Sequence, residues 1–197
     1  MSEVRERILQ AAVEAAAVHG VRRLSVADVA KRAGLSRPTL YKHFPSKDGL
    51  VVAAVRREAD GIVAAVRAAV DAAGPDPRAA LEAGVLVALR RLRDHPLLDR
   101  VVRTEPEALV PLLATDDARV LAAVRLPVEE MIADRFPGLG PVATRRIADL
   151  LTRTLVSYAL SAPDDPPEVV AATVAALVVD GARSLPTVLA QVNEEGR

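Results

Sequence analysis

The sequence predicts an all-α fold: a three-helix N-terminal domain containing a helix-turn-helix, joined by a long helix to a C-terminal helical bundle, with about nine helices in all. Apolar residues recur at i, i+3, i+4 and i+7 along most of the chain, which is the period of an amphipathic helix. Serine, aspartate, proline and glycine stand where these segments would begin and end. No stretch alternates apolar and polar residues as a half-buried strand would. We place the domain boundary at residue 47, which gives domains 1–47 and 48–197.

Composition excludes several classes of protein. The 197 residues are 51% hydrophobic, which is enough for a packed core without disulfides or structural metals. The chain has no cysteine, so it has no disulfide, no thiolate zinc site and no cysteine nucleophile. Its first residues lack the order of a signal peptide, and no apolar run approaches the roughly 18 residues of a membrane span. We therefore expect a soluble cytoplasmic protein that does not contact a membrane.

Residues 3–19 predict a first helix that supports the two short helices after it. Apolar residues recur there at helical spacing, and Gly20 ends the pattern. Arg22 and Arg23 stand in the turn that follows. They are placed to reach phosphates, although a solvated turn explains them equally well.

The segment from Ser25 to Lys47 predicts a helix-turn-helix. Ser25 and Asp28 resemble a capping box at the start of a first short helix. Gly34 follows that helix where a left-handed C-terminal residue is favoured, and Ser36 is placed to cap a second short helix. Two short helices joined by a turn of three or four residues with a glycine are typical of this motif.

The second short helix has an outward face rich in hydrogen-bond donors. Leu35, Leu40 and Phe44 are spaced to turn inward. The face that remains carries Arg37, Thr39, Tyr41, Lys42 and His43. Such side chains suit the phosphate oxygens and base edges of double-stranded DNA. A basic helix is usually only a solvated surface, but the caps and the glycine at helix-turn-helix spacing favour DNA contact here.

Charge is divided unevenly along the chain. Residues 1–50 contain nine Lys and Arg against five Asp and Glu, a net charge of +4, and the remaining residues contain 17 against 21, a net charge of −4. All three lysines, Lys31, Lys42 and Lys47, fall in the first part. Contact with a polyanion is therefore expected at this end.

Three short motifs connect the chain to a known family. They are A-x-x-A-G-L-S from Ala30 to Ser36, P-T-L-Y-K-H-F from Pro38 to Phe44, and S-K at residues 46 and 47. This segment resembles the DNA-binding domain of the tetracycline-repressor (TetR) family of transcriptional regulators. The resemblance covers residues 3 to about 55, and beyond them the chain is similar to the family only in length and helical character.

The resemblance implies a repressor that reads a pseudo-palindromic operator as a homodimer. At matching positions, it implies that Arg37 and Thr39 face base edges and that Pro38 contacts a thymine methyl group. The phosphate contacts that it implies come from Ser25, Tyr41, His43 and Lys47. Ala27 and Asp28 stand where some members carry an arginine, so base reading is expected to rely on Arg37.

Residues 46–73 predict one long helix that ends at Gly74 and Pro75. About 26 helical residues span about 39 Å, enough to link the DNA-binding end to a second domain. Lys47 lies in the first turn, where backbone amides and the helix dipole also favour a phosphate.

The rest of the chain predicts further helices, several of them opened by proline. Asp76 and Pro77 open a helix that ends near Asp94. Pro96 starts a short segment that ends at about Thr104, and Thr104 with Glu107 resembles a capping box for another helix. The remaining predicted helices are 116–136 with a kink or break at Pro127, 141–161, and a last helix from 166 to about Ser184, where Pro186 disturbs it.

The last two long helices, 141–161 and 166–192, are the predicted homodimer interface. The final helix is apolar nearly all round, and such a helix must be buried on more than one side. From the residues alone, the centre of the core and a surface for a partner are equally good interpretations. The resemblance implies a homodimer through a four-helix bundle of these two helices from each chain.

Patterns for catalysis and metal binding are missing from the sequence. The three histidines do not have the i, i+4 spacing of a metal-binding helix. The chain has no G-x-S-x-G motif and no glycine-rich phosphate loop. We predict no catalytic residue, no metal and no cofactor, and hence no enzyme. The alternatives to a regulator under effector control are a helical protein-interaction module and a non-specific DNA binder.

The resemblance also implies a small-molecule effector inside the C-terminal bundle. Phe136 and Tyr158 are the only aromatic residues beyond residue 50, so a largely apolar effector with few polar groups fits best. A tyrosine near a helix end more often only packs its ring, which is the competing interpretation of Tyr158. The predicted ligand-contacting residues are Leu92, Arg103, Glu105, Met131, Thr154 and Tyr158.

Overall fold

Nine α-helices make up most of the described part of the chain, which in this computed structural model comprises residues 3–108, 119–161 and 164–195. They are α1 (Glu3–His19), α2 (Val26–Arg32), α3 (Arg37–His43), α4 (Lys47–Ala72), α5 (Pro77–Arg93), α6 (Pro96–Thr104), α7 (Arg119–Arg135), α8 (Gly140–Leu160) and α9 (Pro167–Glu195). A 3-10 turn, Pro106–Ala108, follows α6. These ranges contain no strand, so the predicted all-α fold is confirmed. None of their helices combines the length and the apolarity needed to cross a lipid bilayer.

The chain folds into two compact units. Among the described residues, the first unit comprises 3–61, 94–108 and 119–123, and the second comprises 62–93, 124–161 and 164–195. Helix α6 thus groups with the N-terminal helices. The predicted domain boundary at residue 47 stays a prediction, because compactness alone does not show that a unit folds independently.

In the first unit, α1, α2, α3 and the start of α4 pack around one apolar core. Ile8 and Leu9 of α1 are fully buried, and Leu40 of α3 is 1% exposed. Leu97 and Val101 of α6 join the same core. Burying a side chain of this size contributes about 1.5–3 kcal/mol, so the core holds the two short helices in place. Helix α1 therefore has the supporting role that the sequence predicts.

The helix-turn-helix forms over the predicted residues, with one difference at its first cap. Gly34 has φ +66° and its N–H donates back into α2, so the left-handed end of that helix is confirmed. Ser36 Oγ accepts the N–H of Thr39 at 3.3 Å and caps α3 as predicted. Ser25 occupies the N-cap position of α2, but its side chain accepts no capping hydrogen bond. The predicted capping box with Asp28 is therefore wrong, and α2 is positioned by its buried face instead.

Helix α6 has the predicted bounds, Pro96–Thr104, but the cap predicted at its end does not form. His95 Nδ1 accepts a backbone N–H from the first turn of α6 at 3.3 Å, and its Nε2 lies 3.0 Å from Glu58 Oε2. At the other end, the hydroxyl of Thr104 donates to the carbonyl oxygen of Arg100 at 2.8 Å. The predicted capping box of Thr104 with Glu107 is wrong, because that hydroxyl is turned back into its own helix.

In the second unit, α5 packs along α9, and α8 contacts both helices. Ile132 of α7, Ile147 and Leu151 of α8 and Ala175 of α9 belong to one buried apolar cluster. The Arg90–Glu168 ion pair, 2.6 Å long, also joins α5 to α9. The final helix is therefore part of the core along one of its sides.

Two prolines lie inside helices where the sequence predicts a disturbance. Helix α7 continues through Pro127, and α9 continues through Pro186 to Glu195. A proline removes one backbone hydrogen bond, but its φ is compatible with a helix. In α7, an ion pair of 2.6 Å from Arg125 to Glu129 spans the proline, and in α9 buried residues of the preceding turns hold the helix to the core. A break at Pro127 and an end before Pro186 are therefore wrong, and a kink at Pro127 stays a prediction.

Gly20 ends α1 in a conformation and in a space that both require glycine. Its φ is +86°, in the left-handed region. A Cβ at this position would overlap the carboxylate of Glu105, a residue that is only 6% exposed. Glu105 Oε2 in turn accepts the backbone N–H of Arg22 at 2.9 Å. The loop after α1 and the residue after α6 are therefore fitted to each other.

We predict that Gly20→Ala lowers the free energy of unfolding by about 2–4 kcal/mol, because left-handed strain adds to the displacement of a buried carboxylate. Gly34→Ala is the matched control, since Gly34 has φ +66° but no atom lies within 4 Å of where its Cβ would be. The control should lose only about 1–2 kcal/mol, the strain alone. Urea denaturation followed by circular dichroism measures both losses, and equal losses would contradict the predicted overlap.

Candidate nucleic-acid interface

Helix α3 has one exposed polar face and one buried apolar face. Leu40 and Phe44 are 1% and 4% exposed, as their spacing predicts, and Leu35 is half-buried against the same core. On the other face, Arg37, Pro38, Tyr41 and Lys42 are exposed, and Thr39 and His43 are half-buried. The outward face therefore carries every residue of this helix that the sequence predicts to contact DNA.

Contacts on the buried side fix the position of α3. Ser36 caps its first turn, and Thr39 Oγ1 lies 2.8 Å from Ser36 Oγ. Arg5 Cζ lies 4.9 Å from the centroid of the Phe44 ring, which places a cation over the aromatic face. Because these contacts set the backbone of α3, its outward side chains start from fixed positions.

Four side chains on this outward face have donors without a partner within the part of the chain that the structure describes. No side-chain hydrogen bond or ion pair there involves Arg37, Tyr41, Lys42 or His43. Guanidinium, phenol, ammonium and imidazole groups are those that proteins use on phosphates and base edges. This face can exchange water for DNA without breaking any contact that holds the fold.

Lys47 and Ser25 stand at the ends of two helices beside this face. Ser46 Oγ accepts the N–H of Gly49 at 3.0 Å and caps α4, so Lys47 lies at the positive end of the helix dipole. Lys47 Nζ donates to the carbonyl oxygen of Arg22 at 2.7 Å. An ammonium group has three N–H donors, so this bond leaves donors for a phosphate. The half-buried Ser25 makes no capping bond, which leaves its hydroxyl available as well.

Two glutamates that the sequence does not place here lie against the loop before α2. Glu105 Oε2 accepts the N–H of Arg22, and Glu107 Oε1 accepts Arg22 Nη1 at 2.6 Å. Hydrogen bonding from its own backbone amide, and next from Arg22, lowers the pKa of Glu107. The T-E-P-E sequence has the form of a helix cap, and nothing in it indicates a contact 83 residues away.

The predicted ligand-contacting residues are divided between the two units. Arg103 and Glu105 belong to the first, where Arg103 Nε donates to Asp99 at 2.6 Å and Glu105 contacts Arg22. The second unit contains Leu92, Met131, Thr154 and Tyr158. Met131 is 6% exposed within an apolar cluster, and Tyr158 packs against another. A ligand role for these six residues stays a prediction.

A cavity of about 450 Å³ lies in the second unit, between the start of α5, the turn after α7, and α9. Its apolar wall includes Phe136, Leu139 and Val179, and its charged rim includes Arg78 and Asp180. None of the six predicted ligand-contacting residues lines it. The volume is within the usual range of small-molecule sites, about 300–1,000 Å³.

Comparison with protein families matches both parts of the chain. Residues 8–54 match the model of the bacterial regulatory proteins of the tetR family, and residues 76–180 match the C-terminal domain of the bacterial tetracyclin repressor. The second match covers more than half of the chain. The chain belongs to the TetR family. The resemblance carried by the motifs from Ala30 to Lys47 is thus confirmed, and it extends into the C-terminal part.

Named relatives of this TetR-family chain are transcriptional regulators. The HTH-type transcriptional regulator AlkX of Mycobacterium tuberculosis is 31% identical over 161 residues, which cover 79% of this chain and 74% of the relative. The HTH-type transcriptional regulator RutR of Escherichia coli K12 is 27% identical over 165 residues, which cover 83% of this chain and 77% of the relative. This protein is a helix-turn-helix transcriptional regulator and not an enzyme.

Solved structures share the fold. The TetR family repressor AlkX from Dietzia sp. strain DQ12-45-1b, described as implicated in biodegradation of n-alkanes, matches with a TM-score of 0.75 at 22% identity, over 91% of this chain and 95% of that one. The fatty acid degradation regulator FadR from Bacillus halodurans matches with a TM-score of 0.63 at 20% identity, over 90% of this chain and 95% of that one. At these identities, the likeness concerns the fold alone.

We predict that Arg37→Ala weakens specific DNA binding by about 1–3 kcal/mol and relaxes the preference at one base pair of each half-site, because a bidentate base contact is lost. Competition between selected and mixed-sequence duplexes measures both effects. Arg91→Ala, which removes one exposed positive charge on α5 in the second unit and outside the proposed dimer helices, is the control and should change neither. An Arg37→Ala variant with unchanged affinity and preference would show that Arg37 does not read bases.

Lys47→Ala should weaken binding to all duplexes alike, because a phosphate contact carries no sequence information. The slope of log affinity against log salt concentration should become shallower by about one per chain. A salt series by fluorescence anisotropy measures this slope for the variant and for the Arg91→Ala control. An unchanged slope would remove Lys47 from the set of phosphate contacts.

Proposed function

We propose that this TetR-family regulator is a repressor that binds a pseudo-palindromic operator as a homodimer and is released by a small, largely apolar effector. The observation that carries the proposal is the outward face of α3. It holds the exposed side chains of Arg37, Tyr41 and Lys42 and the half-buried His43, whose donors have no partner in the described part of the chain. On that face, Arg37, Pro38 and Thr39 would contact bases, and the later residues would contact phosphates.

Exposed apolar side chains on α8 and α9 support a homodimer. Val142 and Leu150 on α8 are 55% and 62% exposed, and Val169 and Leu177 on α9 are 49% and 69% exposed. Other residues of the same helices, such as Leu151, are buried in the core of the second unit. Both helices are thus apolar on the side that faces the core and on part of the opposite side. This pattern is typical of a helix that is buried on two sides. A second copy of the chain would cover these residues through the predicted segments 141–161 and 166–192.

A homodimer explains why a pseudo-palindrome is the expected target. A two-fold axis gives two copies of α3, and each copy reads one half-site of the DNA. Helix-turn-helix dimers place their recognition helices about 34–36 Å apart, so that both enter successive major grooves on one side of the duplex. The protein would work in the cytoplasm, where bacterial DNA is accessible.

Three observations support an apolar effector. The second unit has Phe136 and Tyr158 as its aromatic residues, and its clusters consist mostly of Val, Leu, Ile and Ala. Its cavity of about 450 Å³ has an apolar wall that includes Phe136, Leu139 and Val179, and its four charged lining residues are two acids and two arginines. One structurally similar regulator is described as implicated in biodegradation of n-alkanes, and another as a fatty acid degradation regulator. Alkanes and fatty acids both contain long apolar chains. An effector releases DNA only to the extent that it binds the DNA-free conformation more tightly than the DNA-bound one.

Selection of bound fragments from random duplex DNA tests the proposal. The protein should enrich a motif with two inverted half-sites about one helical turn apart. Repeating the selection with a straight-chain alkane, and then with the fatty acid of the same chain length, should lower recovery of that motif. Recovery without any enriched motif would favour a non-specific DNA binder, and recovery that neither ligand changes would argue against an apolar effector of this class.

We predict that the double variant Leu150→Glu, Leu177→Glu dissociates the dimer, because two carboxylates per chain would be buried in an apolar interface. The dimer dissociation constant should rise at least about a hundredfold, and sedimentation velocity at micromolar concentration measures it. Leu126→Glu is the control, since Leu126 is 54% exposed on α7 and lies outside the proposed interface. A wild-type protein that sediments as a monomer, or a double variant that sediments as a dimer, would contradict the proposed interface.

A further inference from the structure

Residues 105–107, which follow α6, lie against the loop that precedes the helix-turn-helix. The backbone N–H of Arg22 donates to Glu105 Oε2 at 2.9 Å, and Glu105 is 6% exposed. Gly20 leaves the space that this carboxylate occupies. A buried carboxylate on a backbone amide is a strong, charge-assisted contact, so it fixes where the side chain of Arg22 begins.

The side chain of Arg22 makes a second and different contact. Its Nη1 donates to Glu107 Oε1 at 2.6 Å, and the two side chains are 68% and 56% exposed. An exposed ion pair contributes little to stability, because water and salt screen both charges. The fold is therefore held by Glu105, while Glu107 acts mainly on the charge of the guanidinium.

Arg22 is also a neighbour of a predicted phosphate contact. Its carbonyl oxygen accepts from Lys47 Nζ at 2.7 Å, so the two cations start from adjoining positions in the first unit. The Arg22 side chain is long and exposed, so a phosphate near the one expected at Lys47 would be within the range of its guanidinium. A guanidinium binds a phosphate in the same geometry as a carboxylate, often with two parallel hydrogen bonds.

We infer that Arg22 is a further phosphate-contacting residue and that Glu107 competes with the DNA phosphate for it, so that the segment after α6 lowers DNA affinity. While Glu107 holds Arg22, the pair is close to neutral and displaces no counterion from DNA. Without the carboxylate, each chain neutralises one more phosphate. The inference rests on the DNA-reading surface proposed above, but it needs neither an effector nor a specific operator.

Glu107→Gln tests the inference, because it keeps the size of the side chain and removes its charge. The probe is a mixed-sequence duplex of fixed length, and anisotropy gives affinity over a series of salt concentrations. The slope of log affinity against log salt should become steeper by about one per bound chain. At about 0.1 M salt, binding should be about two- to fivefold tighter per chain.

Two further variants separate this contact from a general charge effect. Asp99→Asn also removes one exposed negative charge and also frees an arginine, Arg103, but on α6 itself. It should leave the slope unchanged. Arg22→Gln should change binding little in the wild-type background, and it should abolish the gain that Glu107→Gln produces.

An unchanged slope for Glu107→Gln, or a gain that persists in the Arg22→Gln, Glu107→Gln double variant, overturns the inference and leaves an ordinary surface ion pair. Failure of the proposed reading surface gives a different result. In that case, Arg37→Ala and Lys47→Ala also leave DNA binding unchanged, so these two variants distinguish failure of the reading surface from failure of the competition between Glu107 and DNA.

Discussion

Helix α3 is seven residues long, and an isolated helix of that length is not stable in water. Its conformation depends on burial of Leu40 and Phe44 in the core formed with α1, α2 and α4, and on the cap from Ser36. This constraint separates the two faces of α3. The inner face supplies the stability, so the outer face can carry donors without protein partners. An unpaired donor is unfavourable only where it is buried away from water. The DNA-contacting role proposed for Arg37 and its neighbours depends on this division.

The same unit contains a second constraint, at the loop between α1 and α2. Lys47 donates to the carbonyl of Arg22, the N–H of Arg22 donates to Glu105, and its side chain donates to Glu107. A continuous set of hydrogen bonds thus connects the segment after α6 with the start of α4. Any change in the position of residues 105–107 would alter the charge and the backbone beside the reading helix. Arg22 would therefore both contact DNA and, through its ion pair with Glu107, set how strongly the first unit binds DNA.

Local patterns in the sequence predict the fold and the reading helix well. Glycine at position 34, the cap at Ser36 and the apolar spacing around Leu40 act over a few residues, so the sequence alone reveals them. Features that depend on distant residues are not predictable in this way. The contact of Glu105 with Arg22 joins residues 83 apart, and the T-E-P-E pattern suggests a cap that does not form. Helix α7 likewise continues through Pro127, where propensity alone predicts a break, and the buried Met131 and Ile132 that follow the proline anchor it to the core.

The central claim is that the outward face of α3, with the start of α4 beside it, is the surface that contacts DNA. Backbone amide NMR of the isotope-labelled protein, titrated with its selected operator duplex, tests this most directly. The account predicts that the largest shift changes occur at residues 36–47 and at Arg22, equally in both copies of a symmetric dimer. Shift changes concentrated in α8 and α9, with α3 unaffected, would contradict it.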